Sequence, residues 1–133
     1  MPQMFLIFSH AVTEEQRQDA ERAFQKPILV PLPEDLQRLW SAVPPEPEEI
    51  GDWLRPLWDW LRRNAEPGDI ALIQGDFGAV YALVNAAPGL GLIPVYATTA
   101  RQSIETPQPD GSVRTLRIFR HVRFRRYRPF AEE

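Results

Sequence analysis

The sequence predicts an α/β fold: a Rossmann-like open sheet, mainly parallel and flanked by helices, with a C-terminal antiparallel hairpin at one edge. Three observations carry that expectation. Residues 4–8 and 70–73 are short, unbroken apolar runs with the length of strands buried on both faces. An apolar helical stretch and a further strand at 92–96 follow the second run within some thirty residues, the spacing of a right-handed crossover between parallel strands. Beyond Arg101 the pattern becomes a pair of short strands, 103–106 and 112–118, around the turn Pro109-Asp110-Gly111.

The first strand ends in Ser9-His10. Thr13-Glu14-Glu15-Gln16 is a capping box, so a helix starts there and runs to about Phe24, with Ala20, Ala23 and Phe24 on its apolar side and Pro27 behind it. Residues 28–30 form a short second strand closed by Pro31 and Pro33. Pro33 then opens an amphipathic helix with acids in its first turn and Leu36, Leu39 and Trp40 on one side. The stiff linker Pro44-Pro45-Glu46-Pro47 leads to a helix from about Glu48 to Asn64. Ile50, Trp53, Leu54, Leu57, Trp58 and Leu61 keep helical spacing there, and Trp60 falls off that stripe. Pro56 means either two pieces or a true start at Gly51-Asp52. The tryptophans read as packing residues rather than a base-stacking surface. After the turn Pro67-Gly68-Asp69 come the central strand, a helix from Phe77 to about Ala87, and Pro88-Gly89. In the tail, Thr115, Arg117, Phe119, His121, Arg123, Arg125 and Tyr127 alternate onto one face, basic with aromatics between.

A chain of 133 residues that is 44% hydrophobic suits one domain, residues 1–133, with a core over 1–100 and an Arg-rich hairpin extension over 101–133. There is no cysteine, so no thiolate nucleophile or disulfide framework. His10 and His121 are far apart and nothing has metal-ligand spacing, so neither a metal nor a cofactor is expected. The apolar start is too short for a signal peptide and no stretch has the length of a membrane span, which points to a cytoplasmic protein. The net charge of -3 conceals an asymmetry: seven Lys/Arg against fourteen Asp/Glu up to Ala100, and eight Arg against four acids from Arg101 on. Lys26 is the only lysine, so anion recognition falls to arginine, whose planar fork matches phosphate.

In an open parallel sheet a ligand sits beyond the carboxyl ends of the strands. Three such ends carry polar groups: Ser9-His10; Gln74-Gly75-Asp76-Phe77-Gly78; and Thr98-Thr99 with Arg101. The Gly-x-x-Gly turn at 75–78 opens a helix and offers backbone N–H groups, though the dinucleotide fingerprint and the Walker lysine are absent. Gln74 and Asp76 equally suit helix capping, and Thr98-Thr99 suit a strand by propensity alone. His10 stands where a general base or acid would.

The segments Ile7-Phe8-Ser9-His10, Leu72-Ile73-Gln74-Gly75-Asp76-Phe77-Gly78-Ala79, Tyr96-Ala97-Thr98-Thr99-Ala100-Arg101 and Phe119-Arg120-His121-Val122-Arg123-Phe124 together resemble the small CRISPR-associated accessory proteins of type III systems. The resemblance covers most of the chain. It implies a Rossmann-like fold and binding of cyclic oligoadenylate, with cyclic tetra-adenylate as the expected ligand. It also implies cleavage by a metal-independent ring nuclease that damps antiviral signalling. On this reading His10, Arg101 and Thr99 are catalytic, and Ser9, Gln74, Gly75, Asp76, Phe77, Gly78 and Thr98 bind the ligand. The chain departs from better-studied ring nucleases in having no lysine near a strand end. A rotationally symmetric ligand suits a homodimer, and neither membrane nor stable DNA binding is expected. Two alternatives remain open from the residues: a non-catalytic sensor or sponge for the same messenger, and an adaptor that docks RNA or protein through its tryptophans and arginines.

Overall fold

The computed structural model describes residues 1–131. Five strands and four helices follow one another as β1 (Gln3–Ile7), α1 (Glu14–Ala23), β2 (Ile28–Pro31), α2 (Glu34–Ser41), α3 (Gly51–Asn64), β3 (Ile70–Ile73), α4 (Phe77–Ala86), β4 (Ile93–Pro107) and β5 (Val113–Arg126), with a 3-10 turn at Ala87–Leu90 before β4. They make one sheet in the order β2-β1-β3-β4-β5, parallel from β2 to β4, with β4 and β5 antiparallel.

The alternation of each inner strand divides two apolar layers. Phe5, Ile7, Ala71 and Ile73 point to the side covered by α2, α3 and α4, where they meet Leu36, Trp40, Leu54, Leu57, Leu61 and Leu83. Met4, Phe8, Ile70, Leu72 and Val95 point to the other side, against Ala20 and Phe24 of α1. β3 is buried along its whole length, as expected of a central parallel strand covered on both faces. The capping box forms as predicted: Thr13 Oγ1 accepts from Gln16 N at 3.1 Å and Gln16 Oε1 from Thr13 N at 3.0 Å. Asp69, buried in the predicted turn, accepts from Gln3 N, Gln3 Nε2 and Glu66 N and ties the start of β3 to β1.

The third helix is one piece that starts at Gly51, and Pro56 lies within it. The ring costs the bond its N–H would make to Asp52, and Leu54, Leu57 and Leu61 hold the helix to the core regardless. Trp60, off the predicted stripe, packs edge-on against Phe5 with ring centroids 5.5 Å apart. Gly91 turns the chain into β4 with φ +73, and a Cβ there would come within 2.8 Å of Pro67 Cα.

The largest departure from expectation is β4. It does not stop near Tyr96 and restart at Ser103: it runs unbroken across position 100 for 15 residues, paired with β5 from Val95 to Pro107. Main-chain pairing with β5 takes over where β3 ends, so the strand has no reason to terminate. The hairpin closes at the predicted turn, where Gly111 has φ +86 and Asp110 Oδ1 accepts from Ser112 N at 2.9 Å. A second departure is the basic face. Thr98 pairs with Arg123 but Thr99 pairs with His121, so Val122 is an extra residue in β5. Such a bulge reverses the alternation. Arg123, Arg125 and Tyr127 therefore lie on one side, and His121 on the other, where it is buried against α1.

Candidate functional site

The strand order reverses between β1 and β3, which is where an open α/β sheet offers a crevice at its carboxyl edge. β1 leads into α1 on one face and β3 into α4 on the other. The edge is fixed by side chains that take up its main-chain carbonyls. Gln37 Nε2 donates to Phe8 O at 2.8 Å, Trp40 Nε1 to Gln74 O at 2.9 Å, and Tyr127 Oη to Ile73 O at 2.6 Å. Gln74 bridges three strands: its N–H donates to Ile7 O at 3.0 Å and its Oε1 accepts from Ala97 N at 2.7 Å. Gly75 is required here, because a Cβ would stand 2.8 Å from Trp40 Nε1.

Ser9, His10 and residues 74–78 lie together on these two neighbouring strand ends. Ser9 Oγ is 2.9 Å from Ser41 Oγ. His10 is exposed, its ring 6.4 Å from that of Phe8, and among the described residues it has no side-chain hydrogen-bond partner. Asp76 caps α4, with Oδ2 accepting from Ala79 N at 3.0 Å. Phe77, the first residue of α4, is 95% exposed. The other predicted residues are not on a strand end, because β4 continues, and alternation separates them. Thr98 shares a face with Arg123, and its Oγ1 donates to Arg123 O at 2.9 Å. Thr99 and Arg101 share the opposite face with His121 and Phe119, and the Arg101 guanidinium lies 5.3 Å above the Phe119 ring.

A basic cleft of about 630 Å³ adjoins the edge, lined by Tyr96 and residues 123–128. Arg125 lies 5.6 Å over the Tyr96 ring and donates to its hydroxyl at 3.1 Å, and the Tyr96 and Tyr127 rings are 4.7 Å apart. Among the described residues, Arg123, Arg125, Arg126 and Arg128 have no carboxylate at ion-pair distance. Burial, reinforced by Tyr96, pushes the Tyr127 phenol above its usual value. Sequence reasoning grouped some of these arginines as a surface but did not assign Tyr96, Arg123 or Arg125 to the site; the aromatic and basic residues alternating just past 121 were the available signal. Gln37, Trp40 and Tyr127, which shape the edge, are likewise not assigned to the site by the sequence.

His121 belongs to a separate joint. Its Nε2 is 2.7 Å from Asp19 Oδ2, both side chains are buried, and Nδ1 has no partner among the described residues. Burial pushes the Asp19 carboxyl up, but the hydrogen bonds from His121 and Arg22 outweigh it and leave the group below its ordinary range. No cluster of three His, Cys, Asp or Glu side chains able to hold a metal ion occurs among the described residues.

A family model described as "Uncharacterized protein MJ1673 family" matches residues 2–125. The chain belongs to that family. A relative from Methanocaldococcus jannaschii, "Uncharacterized protein MJ1673", is 45% identical over 130 residues, which is 98% of this chain and 100% of the relative. No solved structure matches the chain. The match to the MJ1673 family takes in β1, β3 and the start of α4, and it runs through β5 to Arg125. Among the described residues no helix of this family member is long and apolar enough to cross a membrane.

Proposed function

We propose that this protein is a Rossmann-like cyclic oligoadenylate-binding protein of type III CRISPR systems that opens its ligand, cyclic tetra-adenylate, as a cytoplasmic ring nuclease. One observation carries the reading. The ends of β1 and β3 bring Ser9, His10 and the N-terminus of α4 together at the edge where the strand order reverses, beside a cleft of arginines that have no carboxylate partner among the described residues. A ring of riboses and phosphates needs donors of both kinds, backbone N–H and guanidinium.

The chemistry asks for orientation rather than a nucleophile from the protein. The ribose 2′-oxygen attacks the adjacent phosphorus, the bond from phosphorus to the 5′-oxygen breaks, and the products are a 2′,3′-cyclic phosphate and a 5′-hydroxyl. His10 takes the proton of the 2′-hydroxyl or gives one to the leaving oxygen. The backbone of residues 75–78 and Arg125 of the cleft hold the phosphate, and Ser9 offers a hydroxyl contact; Thr98 lies on one face of the β4–β5 pair and Thr99 and Arg101 on the other, so the three do not act there together. Holding the attacking oxygen in line can supply roughly 7–11 kcal/mol. A two-fold homodimer would present one such edge from each copy to the ring.

The test is incubation with cyclic tetra- and hexa-adenylate in EDTA, with products followed by chromatography. The reading expects linear products ending in 2′,3′-cyclic phosphate, and a fall of roughly a hundredfold or more for His10→Ala. Unchanged cleavage by both His10→Ala and Arg125→Ala would remove the assignment. That His10 has no side-chain hydrogen-bond partner to orient it among the described residues favours a second reading, in which the ring is bound and not cut.

A further inference from the structure

Past Thr98 the β4–β5 pair leaves the parallel sheet and continues as a two-stranded ribbon. Its register sets Ala100, Gln102, Ile104 and Thr106 opposite Arg120, Ile118, Leu116 and Arg114. Residues directly opposite share a face, so Ile104, Leu116 and Ile118 form one apolar side, while Arg101, Glu105 and Arg117 lie on the other. Ile104 and Leu116 are 44% and 46% exposed. A two-stranded ribbon is marginal in water without a layer against its apolar face. The helix that packs on β5 is α1, and it does so through His121 and Phe124 on the other side. The bare side continues the face that Tyr96 and Tyr127 turn toward the helices within the sheet.

A second unpartnered surface begins at the same edge. α4 carries no charge along its ten residues, and its exposed positions are Phe77, Gly78, Tyr81, Ala82 and Asn85. Surface helices ordinarily put charged side chains there. Phe77 and Tyr81 are one turn apart and form a single apolar stripe, 95% and 73% exposed.

We propose that two copies of this chain pair reciprocally, the outer face of α4 from one copy lying on the Ile104, Leu116 and Ile118 face of the ribbon from the other. Three features favour a second copy as the occupant. The ribbon and the head of α4 both start from the carboxyl edge, so a two-fold axis there brings each to the other and makes the contact self-complementary. The charges agree: the chain is acidic up to Ala100 and basic beyond it, with Arg114 flanking the ribbon face and Asp76 at the head of α4. The chemistry also agrees: Phe77 and Tyr81, aromatics that bury about 150–250 Å² each, meet three part-exposed aliphatics and supply the apolar centre that an interface between copies needs, with polar groups at its rim.

This pairing does not depend on the ligand, and its test contains no nucleotide. Size-exclusion chromatography with light scattering on the full chain is expected to read twice the chain mass of 15.3 kDa. Leu116→Arg and Tyr81→Glu, made separately, are each expected to weaken the dimer at least about tenfold, with the circular dichroism of the wild type retained. The chain has no cysteine, so Leu116→Cys and Tyr81→Cys chains can be mixed and treated with a short bismaleimide. Crosslinks between the two kinds of chain support the pairing. A monomeric wild type overturns it, as does a dimer indifferent to both charge substitutions or one whose crosslinks join only Leu116→Cys chains to one another.

Discussion

The indole N–H of Trp40 donates to the carbonyl of Gln74 at 2.9 Å, and the α-carbon of Gly75 approaches so closely that a Cβ would meet that same nitrogen at 2.8 Å. One side chain of α2 therefore sets the height of the β3 end from which α4 departs. Trp40 is 2% exposed and has no room to retreat. Gly75→Ala is expected to destabilise the fold by about 1–3 kcal/mol, read by urea unfolding, and to weaken ligand binding at the edge beyond that loss. Trp40→Phe leaves the Gln74 carbonyl unpaired and is expected to cost about 1–3 kcal/mol.

Asp19 and His121 join α1 to β5 across 102 residues of chain. The folded-state value of Asp19 is lowered, so its contribution is fully present above the ordinary carboxylate value and is lost as pH falls through the folded one. Glu15, Gln18 and Arg22 of α1 line the same small cleft, and Arg120 of β5 pairs with Glu15 at 3.4 Å. Asp19→Asn is expected to cost about 2 kcal/mol at pH 7. In denaturant titrations the difference from wild type should narrow as pH drops below about 4. A difference constant with pH would mean that the carboxylate charge contributes nothing.

Asp76 holds the first turn of α4 through Ala79 N. Asp76→Ala is expected to lose about 1 kcal/mol, and Asp76→Asn, also a good cap, nearly none. If Asp76→Asn nevertheless abolishes ligand binding while its unfolding curve stays in place, the carboxylate touches the ligand as well as the helix.

Tyr127 donates to Ile73 O at 2.6 Å from a partly buried position. Burial pushes its phenol upward. Absorbance titration is expected to show one phenol ionising above the usual value near 10 and to lose that step in Tyr127→Phe. The same variant leaves the carbonyl of Ile73 unsatisfied at the carboxyl edge and is expected to be less stable by about 1 kcal/mol.

The parallel part of the fold was legible because it rests on local signals: unbroken apolar runs for β1 and β3, the Thr13 capping box for α1, and Pro33 ahead of α2. What escaped depends on pairing between distant segments. Nothing local in residues 97–102 says that a strand continues, since their partners lie at 118–124. One unpaired residue, Val122, then reversed the face of everything beyond it, which no alternation count within β5 reveals. For the same reason the sequence puts Ser9, His10 and residues 74–78, each at the end of a short strand, on the edge where the structure has them, whereas it groups Thr98 with Thr99 although a pleat puts them on opposite sides.

The central claim, that the carboxyl edge receives a ring of adenylates, is tested most directly by calorimetric titration of the full chain with cyclic tetra-adenylate in EDTA. The account predicts saturable binding of one ring per two chains, weakened at least about tenfold by Arg125→Ala. No heat and no saturation with either cyclic tetra- or hexa-adenylate, from protein whose unfolding is cooperative, would contradict it.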